Sequence, residues 1–158
     1  MRTMKPDRII IHHSATEDTG TLSWPQIRHY HVNVRKWIDI GYHAGVELVR
    51  EADGLESYEA MLGRSWVVPG AHCPGQNTHS LGLCLVGNFN EKEPPAGQLF
   101  AAARLVALWM FLFRIPVTMI YPHNAFHETD CPGRMFPFGR FVDMAAELYY
   151  QIGGAEVT

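Results

Sequence analysis

The chain has 158 residues, 47% of them hydrophobic and 18% charged, with a formal net charge of −3. Such a chain can bury a real core, which excludes a largely disordered protein, and its length leaves little room for a second domain. No basic block stands out, so the charge pattern offers no footprint for nucleic acid.

The N-terminal run MRTMKPDRIII has too short an apolar stretch for the core of a secretory signal. Asp7 to His13 reads as a strand. Isoleucine's branching favours extended backbone, and the unbroken triplet Ile9-Ile10-Ile11 suits a strand covered on both faces. Its polar end, His12-His13-Ser14, is a usual place for functional groups in an α/β sheet. Ser14 to Gly20 is a polar loop. Ser23 can cap a helix with Pro25 in its first turn, and Trp24, Ile27, Tyr30 or His31, and Val34 recur at helical spacing. Ile40 to Val49 and Leu55 to Tyr58 read as a hairpin turning at Asp53-Gly54.

Gly63 to Asn77 is a loop rich in Gly and Pro that carries Trp66, His72 and Cys73. Ser80 to Val86, SLGLCLV, reads as another buried strand. Leu99 to Phe113 is the most apolar stretch; at 15 residues with Arg104 inside, it falls short of the roughly 20 a membrane span needs. It reads as a buried helix. Pro116 ends it, and Val117 to Ile120 is a short strand. The loop His123 to Gly133 follows, then a helix over Phe136 to Gln151. One domain is expected over 1–152, with 153–158 as a frayed tail. Cys73, Cys84 and Cys131 are an odd, small set, which predicts a free thiol and synthesis in a reducing compartment.

The chemistry concentrates at the two ends. His123 and Cys131 share one loop, which can fold back so that both side chains converge, and His12 at a strand end can add a third donor. Two imidazoles and a thiolate suit zinc, and three protein ligands leave the fourth position that marks a catalytic site. The spacing matches no standard zinc finger, so a buried strand-end histidine with a packed free cysteine stays open on chemistry alone. Alternation along a strand turns His13 away from His12, and His43 away from Tyr42. Cys84 reads as core, Cys73 as a free thiol, and His127 and Glu128 as loop residues or supporting partners.

Four segments in this order, IIIHHSAT, GYHAGVELVREADG, HCPGQNTHSLGLCLVGNFN and HETDCPG, resemble the type 2 N-acetylmuramoyl-L-alanine amidases. That family includes phage endolysins, and peptidoglycan recognition proteins share its fold. The resemblance runs from about Ile9 to Phe136. It implies an α/β single domain, a central mixed sheet flanked by helices with a zinc cleft at the strand ends. It implies Zn2+ as cofactor, with His12, His123 and Cys131 as metal ligands. Tyr42 and Thr129 fall at the catalytic positions, and Thr129 stands where some relatives carry lysine. His72 and Asn77 fall at cleft-wall positions that touch substrate.

The activity so implied is hydrolysis of the amide between the lactyl group of N-acetylmuramic acid and L-alanine. The expected partner is peptidoglycan or a muropeptide, with no nucleic acid, no stable membrane insertion and a monomeric state. An endolysin of this type is made in the bacterial cytoplasm without a signal peptide and reaches the wall through a holin pore. Three rivals remain: a recognition module that binds without cutting, a cytosolic muropeptide-recycling amidase, and a regulatory role, since some phage amidases also bind and inhibit an RNA polymerase. Some recognition proteins have lost the cysteine, so Cys131 favours the enzyme.

Overall fold

Three consecutive β-branched apolar residues need cover on both faces. In the computed structural model, which describes residues 3–17 and 23–155, Ile9, Ile10 and Ile11 are fully buried inside a five-stranded sheet. The strands are β1 (Arg8–His13), β2 (Ala44–Arg50), β3 (Glu56–Leu62), β4 (Ser80–Leu85) and β5 (Ile120–Pro122). Their order is β3-β2-β4-β1-β5. All neighbours run parallel except the β2–β3 hairpin, so the sheet is mixed.

The period-two alternation of side chains sorts the two faces. Ile9, Ile11, Leu81, Leu83, Leu85, Ala44 and Val46 join one core with α2 (Ala96–Phe113) and α3 (Phe138–Gln151). His12, Gly82, Cys84 and Gly45 occupy the opposite face, which α1 (Ser23–His29) partly covers. Trp24 of α1 lies flat on Gly45, where any Cβ would come within 2.3 Å of the indole. The buried Glu47 carboxylate reaches up from β2 and accepts the Trp24 N–H at 2.7 Å, holding the helix start against the sheet.

Several boundaries differ from the sequence expectation, each for a local reason. The hairpin's first strand begins at Ala44 rather than Ile40, because the backbone bends at Gly41 to His43. Gly63 then packs on Tyr42, with its missing Cβ site 2.2 Å from the Tyr42 carbonyl oxygen. The second strand runs on to Leu62. The short strand after α2 starts at Ile120, because Pro116 leads into a 3-10 turn over Val117–Met119. α2 spans 18 residues and is long and apolar enough to cross a membrane. It packs instead against α3 and the sheet. It is not wholly buried: it forms an outer layer, and Phe100, Leu108, Phe111 and Leu112 face solvent. After α3, Gly154 and Ala155 are tied back to Tyr149, whose hydroxyl donates to the Ala155 carbonyl at 2.6 Å. Residues 18–20 of the predicted polar loop and 156–158 of the predicted tail lie outside the described residues.

His43 braces the sheet. Its Nδ1 accepts the Gly82 N–H at 2.9 Å, so Nε2 carries the proton and donates to the Val68 carbonyl at 3.0 Å. Burial pushes its pKa down to about 4 from 6.5. Between those values the unfolded chain takes up a proton that the folded chain refuses. The stabilisation is therefore complete above pH 6.5 and is lost as pH falls toward 4, by about 3 kcal/mol at 1.36 kcal/mol per unit. Urea unfolding at pH 7.5 and pH 4 measures this, and His43→Gln is expected to flatten the pH dependence by about that amount.

Candidate metal centre

The parallel register brings the two ends of the chain together. β1 and β5 pair Ile9 with Ile120, Ile10 with Tyr121 and Ile11 with Pro122. One step further, His12 and His123 lie side by side, with ring centroids 4.3 Å apart. The loop after His123 doubles back through the Asn124 N–H to Cys131 carbonyl bond. This delivers Cys131, whose Sγ lies 3.7 Å from His12 Nδ1 and accepts the His13 N–H at 3.4 Å. The donor atoms of His12, His123 and Cys131 all lie within 4.8 Å of one another.

A hydrogen-bond chain fixes the tautomer of His12. The Ser80 hydroxyl donates to the Gln76 carbonyl at 2.7 Å, and a carbonyl can only accept. With its one proton committed, Ser80 Oγ accepts from His72 Nε2 at 3.3 Å. His72 Nδ1 is then bare and accepts the proton on His12 Nε2 at 3.0 Å. His12 Nδ1 is left with a lone pair aimed toward Cys131. Burial drives the pKa of both rings well down, and the neighbouring imidazoles push the same way, so both rings are neutral. A histidine anchored through its other N–H is the usual state of a metal ligand.

Gly82 makes this chain possible. Any Cβ there would lie 2.5 Å from the His72 ring, so β4 leaves a gap that the imidazole fills. Asn77 sets the loop that carries His72, with its Oδ1 accepting the His72 and Cys73 N–H groups at 2.8 and 2.9 Å. Ser80→Ala is expected to weaken zinc affinity by about 10–100-fold with little change in fold, because it frees the His72 tautomer. Competition with a chromophoric chelator measures it, and unchanged affinity would remove the chain's role.

The donor set fits zinc. Ordinary zinc–nitrogen and zinc–sulfur distances at a tetrahedral angle put the two atoms roughly 3.6 Å apart, against the observed 3.7 Å. Burial pushes the Cys131 thiol up to about 12, while the His13 N–H pulls it down. The sulfur is therefore protonated without a cation, and metal binding releases a proton. His123 Nε2 is buried with no hydrogen-bond partner among the described residues.

Tyr42 sits at the edge of this set, its ring centroid 5.2 Å from that of His12. Burial first, then the neighbouring Cys84 and Cys131 thiols, raise its pKa well above 10, so the phenol stays protonated. Thr129 is exposed on the loop; its Oγ1 accepts the Cys131 N–H at 3.2 Å, which leaves its hydroxyl proton free to donate. His13 faces the other core beside Phe89, as alternation requires. The sequence reading missed Ser80, Gln76 and Gly82. For Ser80 and Gly82 the signal is the period of two along β4, which puts Ser80, Gly82 and Cys84 on the face of the site; Gln76 acts through its backbone carbonyl and leaves no such signal.

The sequence model for N-acetylmuramoyl-L-alanine amidase matches residues 2–134. The chain belongs to this amidase family. Peptidoglycan-recognition protein LB of Drosophila melanogaster is 34% identical over 137 residues, covering 81% of this chain and 55% of its own length. The chain thus spans little more than half of that relative. A structure of a point variant of the fly protein in complex with tracheal cytotoxin superposes with a TM-score of 0.70, at 29% identity, covering 86% of this chain and 80% of that one. The endolysin of Klebsiella phage KP32 is 29% identical, covering 83% of each chain. The amidase LysC from Clostridium intestinale superposes with a TM-score of 0.74, at 28% identity, covering 92% of this chain and 86% of that one. The amidase fold seen in these structures is the mixed sheet flanked by helices described above.

Proposed function

We propose that this family member is a zinc-dependent amidase that hydrolyses the bond between the lactyl group of N-acetylmuramic acid and L-alanine, and that it serves as a phage endolysin. The observation that carries the reading is the convergence of His12, His123 and Cys131 beside the Tyr42 ring. His12, His123 and Cys131 would hold the zinc, which would supply Lewis acidity toward water and an amide carbonyl.

The chain's own residues do the rest. Ser80 and His72 hold His12 with its Nδ1 lone pair toward the cation site. The Tyr42 phenol, kept protonated by burial, donates to the scissile carbonyl oxygen as charge develops there. Thr129 offers a second hydroxyl from the outer loop. A groove of about 480 Å³ runs off Tyr42, lined by Ser14, Thr16, Gln26, Tyr30 and His31. It mixes hydroxyl, amide and aromatic surface, which suits a sugar–peptide segment. His72 and Asn77, expected to touch substrate, sit behind His12 and are engaged with the protein itself. Their share in binding is support of the cleft wall.

As an endolysin the chain would be made in the cytoplasm and reach the wall through a holin pore. Mass spectrometry of purified sacculi after digestion tests the activity. Free L-alanine amino termini are the expected product. Intact sacculi with bound protein would support the recognition reading, and cleavage restricted to soluble anhydro-muropeptides would support the recycling one.

A further inference from the structure

A second group of ligand-type side chains lies beside the first. The Cys73 sulfur and ring nitrogens of His123 and His127 lie within 4.8 Å of one another. Cys73 is fully buried, and His127 covers it from a partly exposed position. His127 Nε2 lies 3.0 Å from the carbonyl of Pro74, the residue after Cys73. A carbonyl only accepts, so Nε2 carries the proton, and in the neutral ring Nδ1 keeps its lone pair. An imidazole pinned through one N–H to a backbone carbonyl is how proteins present the other nitrogen to a metal. The pinning residue belongs to the same loop as the thiol, so the ring and the sulfur are held as a unit.

We propose that Cys73, His123 and His127 form a second site for a divalent cation of borderline or soft character, such as zinc, and that it competes with the first set for His123. A thiolate and two imidazoles repeat the donor chemistry of the first set. A neutral imidazole has one lone pair, so His123 serves one ion at a time. A second ion held with Cys73 and His127 therefore strips the first of its second histidine and leaves it on His12 and Cys131 alone, so inhibition rises with zinc concentration. The inhibitory consequence rests on the amidase reading; the site itself does not.

Cobalt(II) loading separates the two sets, because thiolate–cobalt charge-transfer absorption reports either sulfur. Cys131→Ser is expected to keep the band through Cys73, Cys73→Ser to keep it through Cys131, and the double variant to lose it. If Cys131→Ser loses the band while Cys73→Ser keeps it, the second site is absent and the first set stands. If Cys73→Ser loses it while Cys131→Ser keeps it, the first set fails and the second stands. Far-ultraviolet circular dichroism checks that each variant is folded. His127→Ala, at a partly exposed position, gives an independent arm. Added to Cys131→Ser it should abolish the band. Alone it should raise the zinc concentration that half-inhibits muropeptide hydrolysis by at least the roughly tenfold that losing even a supporting hydrogen bond costs a metal site. Inhibition at the wild-type zinc concentration would overturn the proposal.

Discussion

His123→Ala is expected to yield a folded protein with a small fraction of one zinc equivalent and muropeptide hydrolysis reduced by more than about 10³-fold. The magnitude follows from a comparison: removing one hydrogen-bond donor from a hydrolytic site already costs about 10²–10³ in kcat. A missing ligand removes the Lewis acid itself. His123 is the most decisive of the three proposed ligands because it belongs to both groups of ligand-type side chains. Cys131→Ser is also expected to abolish hydrolysis, yet the proposed second site would leave Cys73, His123 and His127 to hold an ion, so its metal content alone would mislead. The fold survives the change because the loop's backbone bonds, Asn124 N–H to the Cys131 carbonyl and Phe126 N–H to the His123 carbonyl, do not use the imidazole. Metal analysis of the dialysed variant and mass spectrometry of the digest measure the two effects. Stoichiometric zinc with full turnover in the variant would overturn the ligand assignment.

The parts of this site that were legible from sequence are those governed by alternation and by strand ends. Ile9 to His13 announces a doubly covered strand with its chemistry at the C-terminal end, and the parity of the strand alone separates His12 from His13. The structure obeys both. Loop closure is not readable in the same way. Nothing in the spacing of His123 and Cys131 says that the loop returns to β1; that depends on the parallel pairing of β5 with β1, which is a property of the whole sheet. The resemblance supplied that step. The proton chain from Gln76 through Ser80 and His72 to His12 was hidden for another reason. Its direction follows only once it is known that Ser80 donates to a carbonyl. Cys73 and His127 looked bland because they lie in separate loops, and only the fold sets one over the other. The apolar pattern of the hairpin's first strand continues back to Ile40, while the bend at Tyr42 and the close approach of Gly63 to its carbonyl are tertiary features.

Tyr42→Phe tests how the carbonyl oxygen is stabilised. The expected result is a fall in kcat of about 10²–10³-fold with zinc content unchanged and KM moved little, the signature of a donor used only as charge develops. The substitution keeps an aromatic ring of the same outline between Trp24 and His12, whose centroids lie 6.2 and 5.2 Å away, so packing is preserved. The pH profile separates a donor from a base. Burial raises the phenol well above its ordinary 10, so at neutral pH it can give a proton into a hydrogen bond but has no lone-pair anion with which to take one. The variant should therefore lose rate by the same factor across the neutral range, with no limb of the profile removed. A limb near neutrality that vanishes in the variant would make Tyr42 the proton acceptor. A rate within a few-fold of wild type would leave the oxyanion to Thr129 and the cation alone.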